Sequence, residues 1–151
     1  MNKITRFYKD LTEEIQNMGW KVRHVKMAKL AGECKLSNKL IRIHPAYKNT
    51  LMGCYILGHE AGHMVDFLDK KYKKFYHSKN GYCNNKKLIE KVEWSATKFS
   101  IKLLKQRNFN LSKIPEAKRS WFKKELKFWY KKYMEKKCLN PEIQKNEKRY
   151  I

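Results

Sequence analysis

The stretch Leu57-Gly58-His59-Glu60-Ala61-Gly62-His63 constrains this chain more than any other. A His-Glu-x-x-His spacing works chemically on a helix, where residues four apart lie one turn above each other and about 40° apart around the axis. Both imidazoles then reach one metal ion, and neutral imidazole is a natural ligand for zinc. Glu60 sits between them, off the ligand line, where its carboxylate can take a proton from water activated at the metal. That is the division of labour a metallopeptidase needs. The competing reading is a structural helix on which His59 and His63 merely find hydrogen-bond partners. Features flanking the motif in the right order argue against it.

A chain of 151 residues suits one domain, burying about 68–70% of its unfolded surface. Hydrophobic content of 42%, including 13% aromatics, argues for a folded globule over a disordered tail. Lys and Arg number 36 against 14 Asp and Glu, a formal net charge of +22, which attracts polyanions. The bland alternative is a solvated basic surface with no specific partner. The first ten residues hold no apolar core of a secretory signal, and nowhere do eighteen apolar residues run together. Cys34, Cys54, Cys83 and Cys138 form no Cys-x-x-Cys pair, which excludes a zinc ribbon or redox motif of that type. The expectation is a cytoplasmic protein with free thiols and no membrane association.

In order, Ile4, Phe7, Leu11 and Ile15 recur at helical spacing, predicting a helix from about Ile4 to Met18 with Gly19 as its cap. Trp20 to Met27 partly alternates and is rich in β-formers, as a strand would be. Gly32–Leu36 and Lys39–His44 read as a hairpin turning near Ser37-Asn38, stopped by Pro45. The motif helix runs from about Lys48 or Thr50 to Leu68, apolar on more than one face and hence central. A loop from Asp69 to Asn85 holds Lys70, Lys71, Lys73, Lys74, His77 and a Lys79-Asn80-Gly81 turn signal. Another helix spans about Lys86 to Arg107, and a last one about Pro115 to Lys137. In that last helix Phe122, Leu126, Trp129 and Tyr133 form the packing stripe, and Lys123, Lys124, Lys127 and Lys131 lie outside it. The tail over 140–151 is polar.

Zinc needs a third protein ligand and an open position. The helix after the motif offers Glu93-x-x-Ala96-x-x-Phe99, a carboxylate, a small residue and an aromatic on one face. Ala96 would let the two helix backbones approach closely enough for Glu93 to reach the ion. Glu90, one turn earlier, is the alternative ligand, without a small residue correspondingly placed. The ordinary fate of either carboxylate is pairing with lysines on an exposed helix.

Taken together, these stretches resemble the gluzincins, metallopeptidases with two His and one Glu ligand, and most closely the ImmA/IrrE family of small cytoplasmic enzymes from phages, mobile elements and bacteria. The resemblance covers roughly Gly32 to Leu104 and rests on Leu40-Ile41-Arg42-Ile43, the motif itself and Glu93-x-x-Ala96-x-x-Phe99. It implies an α+β fold: a mainly helical, zincin-like single domain over 1–139, with a small antiparallel β-sheet before the motif helix. It assigns His59, His63 and Glu93 to one Zn(2+) per chain and Glu60 to catalysis. The chain departs from the family at Ser100, where Ala is usual, and lacks the Leu-x-Pro stretch and any helix-turn-helix domain. His63-Met64-Val65-Asp66-Phe67 is also similar to lethal-factor-type catalytic domains. Asp66 shares the ligand face and could orient a histidine or pair with Lys70. SprT-like proteases use a third His, a place His77 could fill.

Peptide hydrolysis also needs a donor for the developing oxyanion. Tyr55, one turn before His59, and His77 and Tyr82 in the following loop are the candidates. Two functions of different class follow. The first is a zinc endopeptidase cutting a cytoplasmic protein, one associated with DNA or regulation, in a phage or mobile-element setting. The second is a zincin-fold protein whose basic surface binds nucleic acid or an acidic protein without proteolysis. A carboxylate at Glu60 favours the first, since purely structural zinc has no use for it.

Overall fold

The computed structural model describes residues 1–77 and 85–139, with side chains left aside at 129, 130 and 132–139. The fold is α+β and mainly helical, as expected, with one small sheet. Helix α1 (Lys3–Asn17) starts at Asn2, whose side-chain oxygen accepts the Thr5 backbone N–H at 2.8 Å. It ends where Gly19 takes φ +84°, a conformation that costs glycine little. Phe7, Tyr8, Leu11 and Ile15 form its buried stripe. Burying each apolar side chain of this size contributes about 1.5–3 kcal/mol.

Strands β1 (Lys21–His24), β2 (Gly32–Lys35) and β3 (Leu40–Ile43) follow. β2 and β3 are the expected hairpin, joined by a short 3-10 turn over Leu36–Asn38, with Lys39 left-handed at its end. The sheet as a whole is mixed, which corrects the expectation of an antiparallel one. β1 lies on the far side of β3 and runs parallel to it, giving the order β1-β3-β2. Alternating hydrophobicity marks a strand without encoding its direction, and residues 25–31 are long enough to carry the chain over to the other edge. Ile41 and Ile43 point into the core from the central strand.

Helix α2 (Leu51–Leu68) carries the motif, and Thr50 caps it by accepting the Gly53 N–H at 2.9 Å. α4 (Lys86–Gln106), α1 and the sheet all pack on α2, which explains why it is apolar nearly all round. A short helix α3 (Lys73–Tyr76) stands where only a loop was expected, and two 3-10 turns, over Leu111–Lys113 and Pro115–Ala117, precede α5 (Arg119–Leu139). Phe122 and Leu126 are buried, and Lys123, Lys124, Lys127 and Lys131 are exposed, as their spacing predicts. The side chains of Trp129 and Tyr133, the Lys79-Asn80-Gly81 turn, Tyr82, Cys83, the Cys138 side chain and the tail lie outside the described residues.

Among the described residues the most extensive packing between two elements is that of α2 on α4. Gly58 faces Ser100 and Gly62 faces Ala96, so the helices run antiparallel with small residues notched together. In an exposed helix, alanine would be better than glycine by about 0.8–1.0 kcal/mol. Here a Cβ at Gly62 would stand 2.9 Å from Ala96 Cα and 3.0 Å from the Ala96 carbonyl oxygen. Both are backbone atoms, so the helices would have to separate. Gly62→Ala is therefore expected to destabilise the protein by about 1–3 kcal/mol, read as a lowered Tm. A variant as stable as the parent would show that the notch is not tight.

Candidate metal centre

Because α2 and α4 approach so closely, side chains one turn apart on each meet between them. His59 and His63 come from α2 and Glu93 from α4, and all three are buried. His59 Nε2 lies 2.9 Å from Glu93 Oε2, His63 Nε2 lies 3.1 Å from the same oxygen, and the two Nε2 atoms are 3.1 Å apart. This His59–His63–Glu93 group is the one set of three potential ligands found among the described residues. Glu90 is half-buried and does not belong to it.

The outer nitrogens explain how the rings are held. His63 Nδ1 is 2.7 Å from the Tyr76 hydroxyl, and His59 Nδ1 is 3.1 Å from Thr97 Oγ1, which also meets the Tyr55 hydroxyl at 3.2 Å. The Nδ1 contacts fit the tautomer in which each Nδ1–H donates to a hydroxyl oxygen and Nε2 turns its lone pair inward; in the other tautomer Nε2–H donates to Glu93 Oε2. Three lone-pair atoms this close repel one another unless a proton or a cation sits among them.

Burial pushes the His63 imidazole below its usual range, with Glu93 pulling the other way. Burial also works to raise the Glu93 carboxyl, yet the two imidazoles, by charge and hydrogen bonds, outweigh it and hold it below the ordinary carboxylate range. A tetrahedral zinc site with bonds of about 2.0–2.1 Å separates its ligand atoms by about 3.3 Å. Movements of a few tenths of an ångström would bring these three atoms to that spacing. The donor set fits a divalent cation.

Glu60 is 1% exposed, and its Oε2 has no hydrogen-bond partner among the described residues. Burial, then the charges of Glu93 and Glu33, push its carboxyl well above the ordinary range. It shares with His59 and Glu93 the wall of a cavity of about 240 Å³, bounded also by Gly32 on the sheet edge and by residues of α5.

The remaining candidates are placed variously. Tyr55 lines the cavity, and its hydroxyl is tied to Thr97. Asp66 accepts a hydrogen bond from Ser95 Oγ at 2.7 Å and lies 4.0 Å from Lys71 Nζ, so its lysine partner is Lys71 where Lys70 was the expected one. His77 is exposed and stacked on Phe67, with ring centroids 4.8 Å apart, away from the three ligands. Tyr82 lies outside the described residues.

Sequence reasoning passed over Thr97, Tyr76 and Glu33. Thr97 sits one turn after Glu93 and so shares its face, a signal that was present. Tyr76 carries no such signal: its place depends on Lys70 and Tyr72 both turning left-handed just before α3. Glu33 is 1% exposed on β2, opposite Arg42 on β3, with the guanidinium against its carboxylate. No helix among the described residues is long and apolar enough to cross a membrane. Comparison with protein-family models, with curated proteins and with solved structures finds no match to this chain.

Proposed function

We propose that this chain is a zinc-dependent endopeptidase of the His-Glu-x-x-His…Glu type, resembling the ImmA/IrrE family, which cuts a cytoplasmic protein. The observation that carries the reading is the convergence of three buried potential ligand atoms within 3.1 Å, beside the buried Glu60, whose Oε2 has no hydrogen-bond partner among the described residues. His59, His63 and Glu93 would hold the ion. Zinc bound there would supply polarisation of the scissile carbonyl, a water of lowered pKa and a positive charge that favours ionised Glu60. Glu60 accepts the proton of the attacking water and delivers it to the leaving amine. Tyr76 and Thr97 fix the imidazoles so that neither ring turns during turnover. Tyr55 lines the same cavity and is the candidate donor to the oxyanion, its hydroxyl lying 3.2 Å from Thr97 Oγ1. The exposed lysines of α5 and of the segment after α2 support an acidic protein or nucleic acid as partner, with association weakening as salt rises.

The deciding experiment is metal stoichiometry on the purified protein and on two variants. One zinc per chain is expected for the parent and for Glu90→Gln, and Glu93→Gln should lose zinc affinity by more than the roughly 10- to 100-fold typical of residues that only support a ligand. Retention of full affinity in Glu93→Gln, or a parent that binds no zinc, would overturn the reading in favour of a metal-free hydrogen-bonded triad.

A further inference from the structure

The cavity beside the candidate metal centre has a composition at odds with the rest of the chain. In a protein of net charge +22, its wall includes Glu116 and Glu125 together with Glu60 and Glu93. No lysine or arginine is found along it among the described residues. The remaining wall is largely apolar, with Met52 and Ile56 from α2, Ile89 from α4, and Phe122 and Leu126 from α5. Glu116 stands in the 3-10 turn before α5, and its Oε2 is shielded from solvent without a hydrogen-bond partner among the described residues. Such an atom costs free energy until something donates to it. Glu60, nearly fully buried and likewise lacking a described partner for Oε2, faces the same space.

A bare inorganic cation would use the carboxylates and waste the apolar wall, and an aliphatic side chain would do the reverse. A long apolar stem ending in a cation uses both, because lysine and arginine bury their methylenes while their charged ends seek partners. We infer that this cavity is a specificity subsite for a lysine or arginine side chain of the peptide substrate, with Glu116 receiving its cationic end. Naming that side chain as part of a substrate rests on the peptidase reading; the cationic preference itself does not. A free α-amino group has the same charge but no stem to lie along Phe122 and Leu126.

The test is binding of four short alanine-flanked peptides to the full chain, both chelator-treated and as zinc-loaded Glu60→Gln. Three peptides are acetylated and amidated, with Lys, Arg or norleucine at the centre, and the fourth carries norleucine with a free amino terminus. The Lys and Arg peptides are expected to bind about tenfold or more tightly than blocked norleucine, the gain of one charge-assisted hydrogen bond. Glu116→Gln should reduce that preference, with Glu116→Ala deciding if the first variant fails to fold. Equal binding of blocked Lys, Arg and norleucine peptides would overturn the inference. So would a preference unmoved in both variants, or a gain seen only with the free-amino peptide. Persistence of the preference in chelator-treated protein keeps its fate separate from that of the zinc centre.

Discussion

Glu60→Gln is expected to abolish peptide hydrolysis and, in the metal-free protein, to raise stability. The loss of a general acid–base group lowers rate by about 10²- to 10⁴-fold. The gain in stability has a different origin. Glu60 is almost wholly buried beside Glu93 and Glu33, and its Oε2 has no described partner. An amide brings no charge into that field, and it can donate to a neighbouring carboxylate. Relief of the strain should be worth about 1–3 kcal/mol at neutral pH, with a Tm rise of about 2–4 °C per kcal/mol for a chain of this length. The pH dependence carries a definite sign. The folded carboxyl is raised above its unfolded value near 4.5, so the folded state binds the proton more tightly. Stability of the parent must then fall as pH rises from 4.5 toward the folded value, and return on acidification. Glu93 titrates in the opposite sense and below 4.5, so the difference between parent and variant across the window isolates Glu60. A variant less stable than the parent at pH 7, or one that still hydrolyses peptide, would refute this account of Glu60.

The second large effect is expected at Arg42. Its guanidinium lies against the Glu33 carboxylate across the β2–β3 pair, and Glu33 is buried. Arg42→Ala removes the cation closest to that buried charge, whereas Lys35 Nζ stands 4.0 Å away. Removing one member of a buried ion pair costs about 3–5 kcal/mol, because the remaining charge has lost its compensation. Chemical denaturation should show the loss, and Glu33→Gln combined with Arg42→Ala should recover much of it. A cost under about 1 kcal/mol would place the pair with exposed ion pairs, whose worth is small.

What could be read from the sequence was what is periodic or local. Helical spacing located α1, α2, α4 and the buried Phe122 and Leu126. The smallness of Ala96 pointed to Glu93 over Glu90 as the carboxylate that meets the histidines, and Gly62 proved to be what Ala96 packs against. Strand direction was not legible: β1 pairs with β3 through contacts about twenty residues apart, and Val22 looks the same in either sense. Glu33 reads as an ordinary residue of a hairpin arm, with no sign of its burial until Arg42 is seen opposite it. Tyr76 lies thirteen residues past His63, among lysines that suggest only a solvated loop.

The glycines of α2 have a consequence for how the centre comes into being. Gly53, Gly58 and Gly62 fall within eighteen residues, each costing an isolated helix about 0.8–1.0 kcal/mol. The segment holding both histidines is thus a poor helix by itself, and what makes it one is the embrace of α4, which also delivers Glu93. Order in the backbone and assembly of the donor set are the same event. A metal ion is then offered either the complete site or a coil with two loosely tethered imidazoles, and little in between. Metal loading and global unfolding should form one thermodynamic cycle, with α2 amides exchanging hydrogen only when the whole molecule opens.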